Sequence, residues 1–115
     1  MVNIYCNEKL LTDKSKYINP LIGLMFARKL KYKEAAILDV SNYPSTVIHM
    51  AFVFQNLDVV CLNKNMKVID VRKNIKPFSK LIYPVEKSYY YVESLPNSFD
   101  VKIGDILNFV EKKGI

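Results

Sequence analysis

From Ala35 onward the apolar residues of this chain recur at every second position, the spacing of a β-strand rather than of a helix. Thr46 to Phe54 is the clearest run: Ile48, Met50, Phe52 and Phe54 share one face, and Val47, His49, Ala51 and Val53 the other. Both faces are largely apolar, which predicts a central, covered strand. Leu57 to Leu62 predicts another, and Asn63-Lys64-Asn65 a turn, because Asn tolerates the left-handed conformation. Met66 to Val71 would complete the hairpin. Val2 to Cys6, Ala35 to Val40 and Lys87 to Glu93 are further strand candidates. One helix is predicted over about residues 20–30, with Asn19 as cap, Pro20 at its first position and Arg28, Lys29 and Lys31 at its positive-favouring end. Gly104-Asp105 signals a turn; the segment after it, Ile106 to Val110, fits a strand or a helix capped by Asp105. Strands at intervals of about 8 to 12 residues read as a mainly β sandwich or barrel.

Length adds that 115 residues make one domain, long enough to bury a core without a disulfide or metal. Half the residues are apolar, yet no run approaches the roughly 18 to 20 residues of a membrane helix. The N-terminus lacks the pattern of a signal peptide, so the expected location is the cytoplasm. There Cys6 and Cys61 are expected as free, packed thiols, although the sequence is also compatible with a bridge between them. The net charge of +6 falls mainly in Arg28 to Lys33 and Lys64 to Lys80. It suits solubility, or weak, sequence-independent nucleic-acid binding through counterion release.

Candidate chemistry is sparse. His49 is the one histidine, set in an apolar strand, and it reads as a hydrogen-bonded structural residue. No metal spacing, paired catalytic carboxylates or Gly-rich phosphate loop stands out, so no cofactor and no metal are expected. Asp58 lies between apolar residues, where a carboxylate must be exposed, paired or hydrogen-bonded. It would accept bonds from a bulged backbone or loop, or support a binding face. In Tyr89-Tyr90-Tyr91, Tyr90 is expected in the core. Tyr89 and Tyr91, flanked by Lys87 and Glu93, are expected to be partly exposed, as cross-strand pairs or as an aromatic platform. The proline-restrained connection Lys76-Pro77-Phe78 to Tyr83-Pro84 directly precedes them. A binding face is therefore expected at Lys76, Phe78, Tyr83, Tyr89 and Tyr91, supported by Asp58.

Several segments resemble one family in order and spacing. They are Gly23-Leu24-Met25-Phe26 with Leu30; His49-Met50; Leu57 to Leu62; Lys76-Pro77-Phe78; Tyr83-Pro84; Val92-Glu93-Ser94-Leu95-Pro96; and Lys102-Ile103-Gly104-Asp105. Together, from about Asn19 to Phe109, they resemble domain-of-unknown-function family 192 in its small archaeal form. The resemblance implies a single-domain, jelly-roll-like β-sandwich with one short helix, tips the last segment toward a strand, and implies no reaction, ligand or cofactor. The chain departs from the pattern at Ala27, where the family usually has Arg, at Ala51-Phe52-Val53, at Asn56 and at Asn97-Ser98. The expectation for function is a non-catalytic binding or accessory module of an uncharacterised family, with a protein or small ligand as partner. The nucleic-acid reading is the alternative, and an enzyme of unrecognised type comes third.

Overall fold

The computed structural model describes residues 1–19, 30–44, 55–77 and 87–112. Most of the expected helix, the Thr46 to Phe54 strand with His49, and the site residues Phe78 and Tyr83 lie outside them. The described residues are mainly β: β1 (Val2–Cys6), β2 (Lys9–Tyr17), β3 (Ala35–Asp39), β4 (Leu57–Leu62), β5 (Val68–Ile75), β6 (Tyr90–Ser94) and β7 (Leu107–Glu111). They form one continuous sheet in the order β5-β4-β6-β3-β2-β1-β7 rather than two separate stacked sheets. All neighbours are antiparallel except β2 and β3, which run parallel with Ser15 opposite Ala35.

The period of two sets the two faces. In β3, β4 and β6 one set of alternate residues, among them Ile37, Val60, Leu62 and Val92, packs with Val2, Ile4, Val68 and Leu107 into a single core. The other set, Leu38, Val59, Cys61 and Tyr91, packs on the opposite face. β4 is buried at all six positions, which explains why all of them except Asp58 are apolar. The sheet also coils on itself. Leu107 N–H donates to the Met66 carbonyl at 2.9 Å, Val68 N–H to Asp105 at 2.8 Å and Gly104 N–H to Val68 at 2.9 Å, so β7 meets the start of β5. The first cluster is thus the inside of a coiled sheet, and the second lies on its outer face. Gly104 adopts φ +99°, which disfavours any side chain and accounts for its place in the turn that brings β7 round.

β2 is the strand that the pattern did not predict. Its sequence, KLLTDKSKY, is mostly exposed, and its two buried residues, Thr12 and Ser15, are polar. Both hydroxyls are satisfied: Thr12 donates to the Lys33 carbonyl at 2.7 Å, and Ser15 to the Val2 carbonyl. Asn7 (φ 47°) and Glu8 (φ 73°) form the two-residue turn from β1, with Cys6 opposite Lys9. β5 starts at Val68 rather than Met66 because Met66 takes φ 65° within the turn. The Asn63 side chain organises that turn, accepting from Asn65 N–H at 2.9 Å and Lys67 N–H at 3.0 Å. Ile106 to Val110, open between helix and strand in the sequence, contributes strand β7. Among the described residues no helix is long and apolar enough to cross a membrane.

Candidate functional site

The described members of the expected binding face do not converge. Asp58 is 4% exposed, on the inner side of β4. Its carboxylate accepts from Asn74 N–H at 2.8 Å, Asn97 N–H at 2.9 Å and Lys73 Nζ at 3.2 Å. Both asparagines adopt positive φ, 52° and 61°. Asn74 is at the register shift that opposes Leu57 to Ile75 and Val59 to Arg72, and Asn97 lies in the turn after β6. Asp58 therefore ties a bulge and a loop to the sheet through charge-assisted bonds. The cavity beside it, about 10 Å³, has room for one water and no ligand.

Tyr91 is 1% exposed, which corrects the expectation that it stands at a surface. Alternation does put it with Tyr89 and Glu93 on one face, but that outer face is itself covered around Val59 and Cys61. Burial pushes the Tyr91 phenol up to about 12, with the neighbouring Cys61 adding to it. Tyr90 packs against the inner core as expected. Tyr89 is half-buried, with the Lys87 ammonium 5.9 Å from its ring centre. Its N–H donates to Leu62 at one end of β4, whereas Lys76 follows Ile75 opposite Leu57 at the other end. Five residues of strand, about 16 Å, separate those ends.

Glu93 is the unexpected group. It is 3% exposed on the outer face, between Ala36 of β3 and Val59 of β4. Burial pushes its carboxyl up to about 7, so it holds a proton through mildly acidic pH.

Two accessible features lie elsewhere, at β7. An open groove of about 940 Å³ runs over the outer face of β1 and β7 against the 63–67 turn. Tyr5, Glu8, Asn65, Ile106, Asn108 and Val110 are among the residues that line it. Ile106 is 47% exposed and Val110 42%. On the inner side, Phe109 meets Tyr17 edge-to-face at 6.4 Å and Tyr90 at 5.8 Å. Tyr17 is 47% exposed, so this aromatic rim reaches solvent. Asp39 is opposite Tyr90 across β3 and β6, and Glu111 stands two residues from Phe109 on the same face of β7; partial burial, then the charges of Asp39 and Glu111, raise the Tyr17 phenol. Neither feature was legible in the sequence because each joins β7, open between strand and helix in the pattern, to a distant segment: the groove to β1 and the 63–67 turn, the rim to β2, a strand the pattern did not predict. Asn7-Glu8 between Cys6 and Lys9 was the available, weak signal.

A family model described as "Uncharacterized ACR", DUF192, matches residues 16–109. The chain belongs to the DUF192 family. A UPF0127 protein of Pyrococcus horikoshii is 30% identical over 92 residues, 77% of each chain. A UPF0127 protein of Pyrococcus furiosus is 29% identical over 96 residues, 81% of this chain and 80% of the relative. Among solved structures, a protein of unknown function from Novosphingobium aromaticivorans is similar with a TM-score of 0.79 at 18% identity, covering 93% of this chain and 82% of that one. That likeness shows the fold alone. The DUF192 membership agrees with the resemblance read from the motifs, and neither it nor these relatives indicates a specific function.

Proposed function

We propose that this DUF192 chain is a non-catalytic binding or accessory module of the cytoplasm, with the groove over β1 and β7 as its ligand-binding surface. The observation that carries the reading is the groove itself: it combines exposed apolar surface at Ile106 and Val110 with the amides of Asn65 and Asn108 and the Tyr5 phenol. Apolar walls with a few hydrogen-bonding groups are the usual composition of binding sites. Amides and a phenol orient a ligand by hydrogen bonds. The cytoplasmic location is supported by the two free thiols, since Cys6 packs against the inner core and Cys61 belongs to the outer cluster.

The test is an affinity pull-down from native extract at about 50 and 200 mM salt, comparing wild type with Ile106→Asp and Val110→Asp. The reading expects one ligand or partner retained by wild type at both salts and lost from both variants, with melting temperatures unchanged within a few degrees. Equal recovery by all three proteins removes the groove from the site. Recovery of nucleic acid alone, and only at the lower salt, favours the basic-protein alternative.

A further inference from the structure

The ladder between β1 and β7 shows which way each backbone group of β7 points. Asn7 N–H donates to the Ile106 carbonyl and Lys112 N–H to Met1, so the even-numbered residues of this segment face β1. Leu107 N–H turns the other way and donates to Met66. In an antiparallel pair these directions alternate. Phe109 and Glu111, opposite Ile4 and Val2, therefore also direct N–H and C=O away from β1. Leu107 finds its partner in Met66, but there the chain turns back through Asn63–Lys67 and leaves β7. Beyond that point β7 ends the sheet of described strands: Asn108, Val110 and Glu111 are exposed, and among the described residues no backbone partner meets Phe109 or Glu111 on this side.

We propose that this edge of β7 takes up an extended peptide segment as an additional antiparallel strand, with a lysine or arginine of the segment lying over the Tyr17–Phe109 rim. The inference rests on the reading of the adjoining groove as the binding face and names the class of ligand. The edge itself selects the occupant, because outward N–H and C=O groups two residues apart are matched by extended backbone. Side-chain preferences follow from the pleat. Partner residues directly opposite Phe109 and Glu111 lie on the inner side, where Glu111 shares the face of Phe109 and Asp39 is opposite Tyr90, an aromatic and acidic setting that favours a cation. Partner residues between them lie on the groove side, against Val110, and favour apolar side chains. A second copy of β7 fits less well, since a twofold pairing in the plane of the sheet brings two sets of Asp39 and Glu111 onto one face.

The probe is the capped peptide acetyl-(Lys-Val)3-Lys-amide, titrated into isotope-labelled full-length protein and followed by amide chemical shifts. Shifts centred on Phe109, Val110 and Glu111 are expected, with dissociation below about 1 mM. The glutamate analogue, acetyl-(Glu-Val)3-Glu-amide, should bind at least about tenfold more weakly. Methylating the lysine amide nitrogens removes the donors facing β7 and should cost at least about tenfold, while methylating the valine nitrogens, which face away, should cost less than about threefold. Absence of shifts, equal binding of the glutamate analogue, or equal loss from both methylated forms overturns the proposal. So does hydrogen-exchange protection of Phe109 that rises with protein concentration alone, which assigns the edge to a second copy. If the pull-down ligand depends on Ile106 and Val110 while the peptides shift nothing, the groove reading stands and the strand-addition inference falls.

Discussion

Replacing Glu93 by Gln isolates the energetic consequence of a carboxyl enclosed in the outer face of the sheet. Glu93 is 3% exposed, and burial raises its pKa from 4.5 to about 7. A shift of that size corresponds to about 3 kcal/mol between the two protonation states, at 1.36 kcal/mol per unit. The sign follows from a folded-state value above the unfolded one. The contribution to stability is fully present below pH 4.5, falls as the unfolded chain ionises, and is gone once pH has risen through about 7. Gln keeps the shape of the side chain and cannot ionise. Urea unfolding of both proteins between pH 5 and 8.5 should show wild type losing up to about 3 kcal/mol relative to Glu93→Gln as pH rises, with equal denaturant slopes. The informative quantity is the change of that difference with pH, because its absolute value also contains the burial of an amide. A difference constant within about 0.5 kcal/mol across the range would refute the assignment of a protonated Glu93, since an exposed or ion-paired carboxylate gives no such slope.

Three further outcomes are expected. Asp58→Ala removes the acceptor of Asn74, Asn97 and Lys73 and should cost about 1 to 3 kcal/mol in urea unfolding, because three charge-assisted bonds that tie the bulge and the loop to the sheet are lost. Tyr91→Ala should cost about 3 to 5 kcal/mol, and Tyr89→Ala under about 1.5 kcal/mol; comparable melting temperatures for the two variants would contradict the burial difference. Cys61, 1% exposed with its thiol pushed up to about 12 by burial and then by Asp70, should be labelled by a thiol reagent only on unfolding, whereas Cys6, half-buried and raised to about 11, should react from the native state; equal rates at both would count against this.

Short apolar runs carried much of the strand assignment. Val2–Cys6, Ala35–Asp39 and Leu57–Leu62 were legible because their side chains pack on one or both faces of a sheet, and burial writes itself into composition. The period of two placed Tyr90 and Tyr91 on opposite faces, and the motif order pointed to the DUF192 family that the comparison established. Which faces are covered was not local information. Tyr91 and Glu93 looked like an exposed polar stripe, yet they lie in the middle of the sheet between β3 and β4. That position depends on a strand order no single segment encodes. β2 was illegible for the complementary reason: its buried positions are Thr12 and Ser15, whose burial is offset by hydrogen bonds to Lys33 and Val2, contacts across 21 and 13 residues. The groove, the aromatic rim and the edge of β7 exist only because the sheet coils until β7 meets Met66, then parts from it as the chain turns at Asn63–Lys67. Periodicity reports which side of a strand is apolar; hydrogen bonding between distant strands decides what each side meets, and so where the surface available for binding lies.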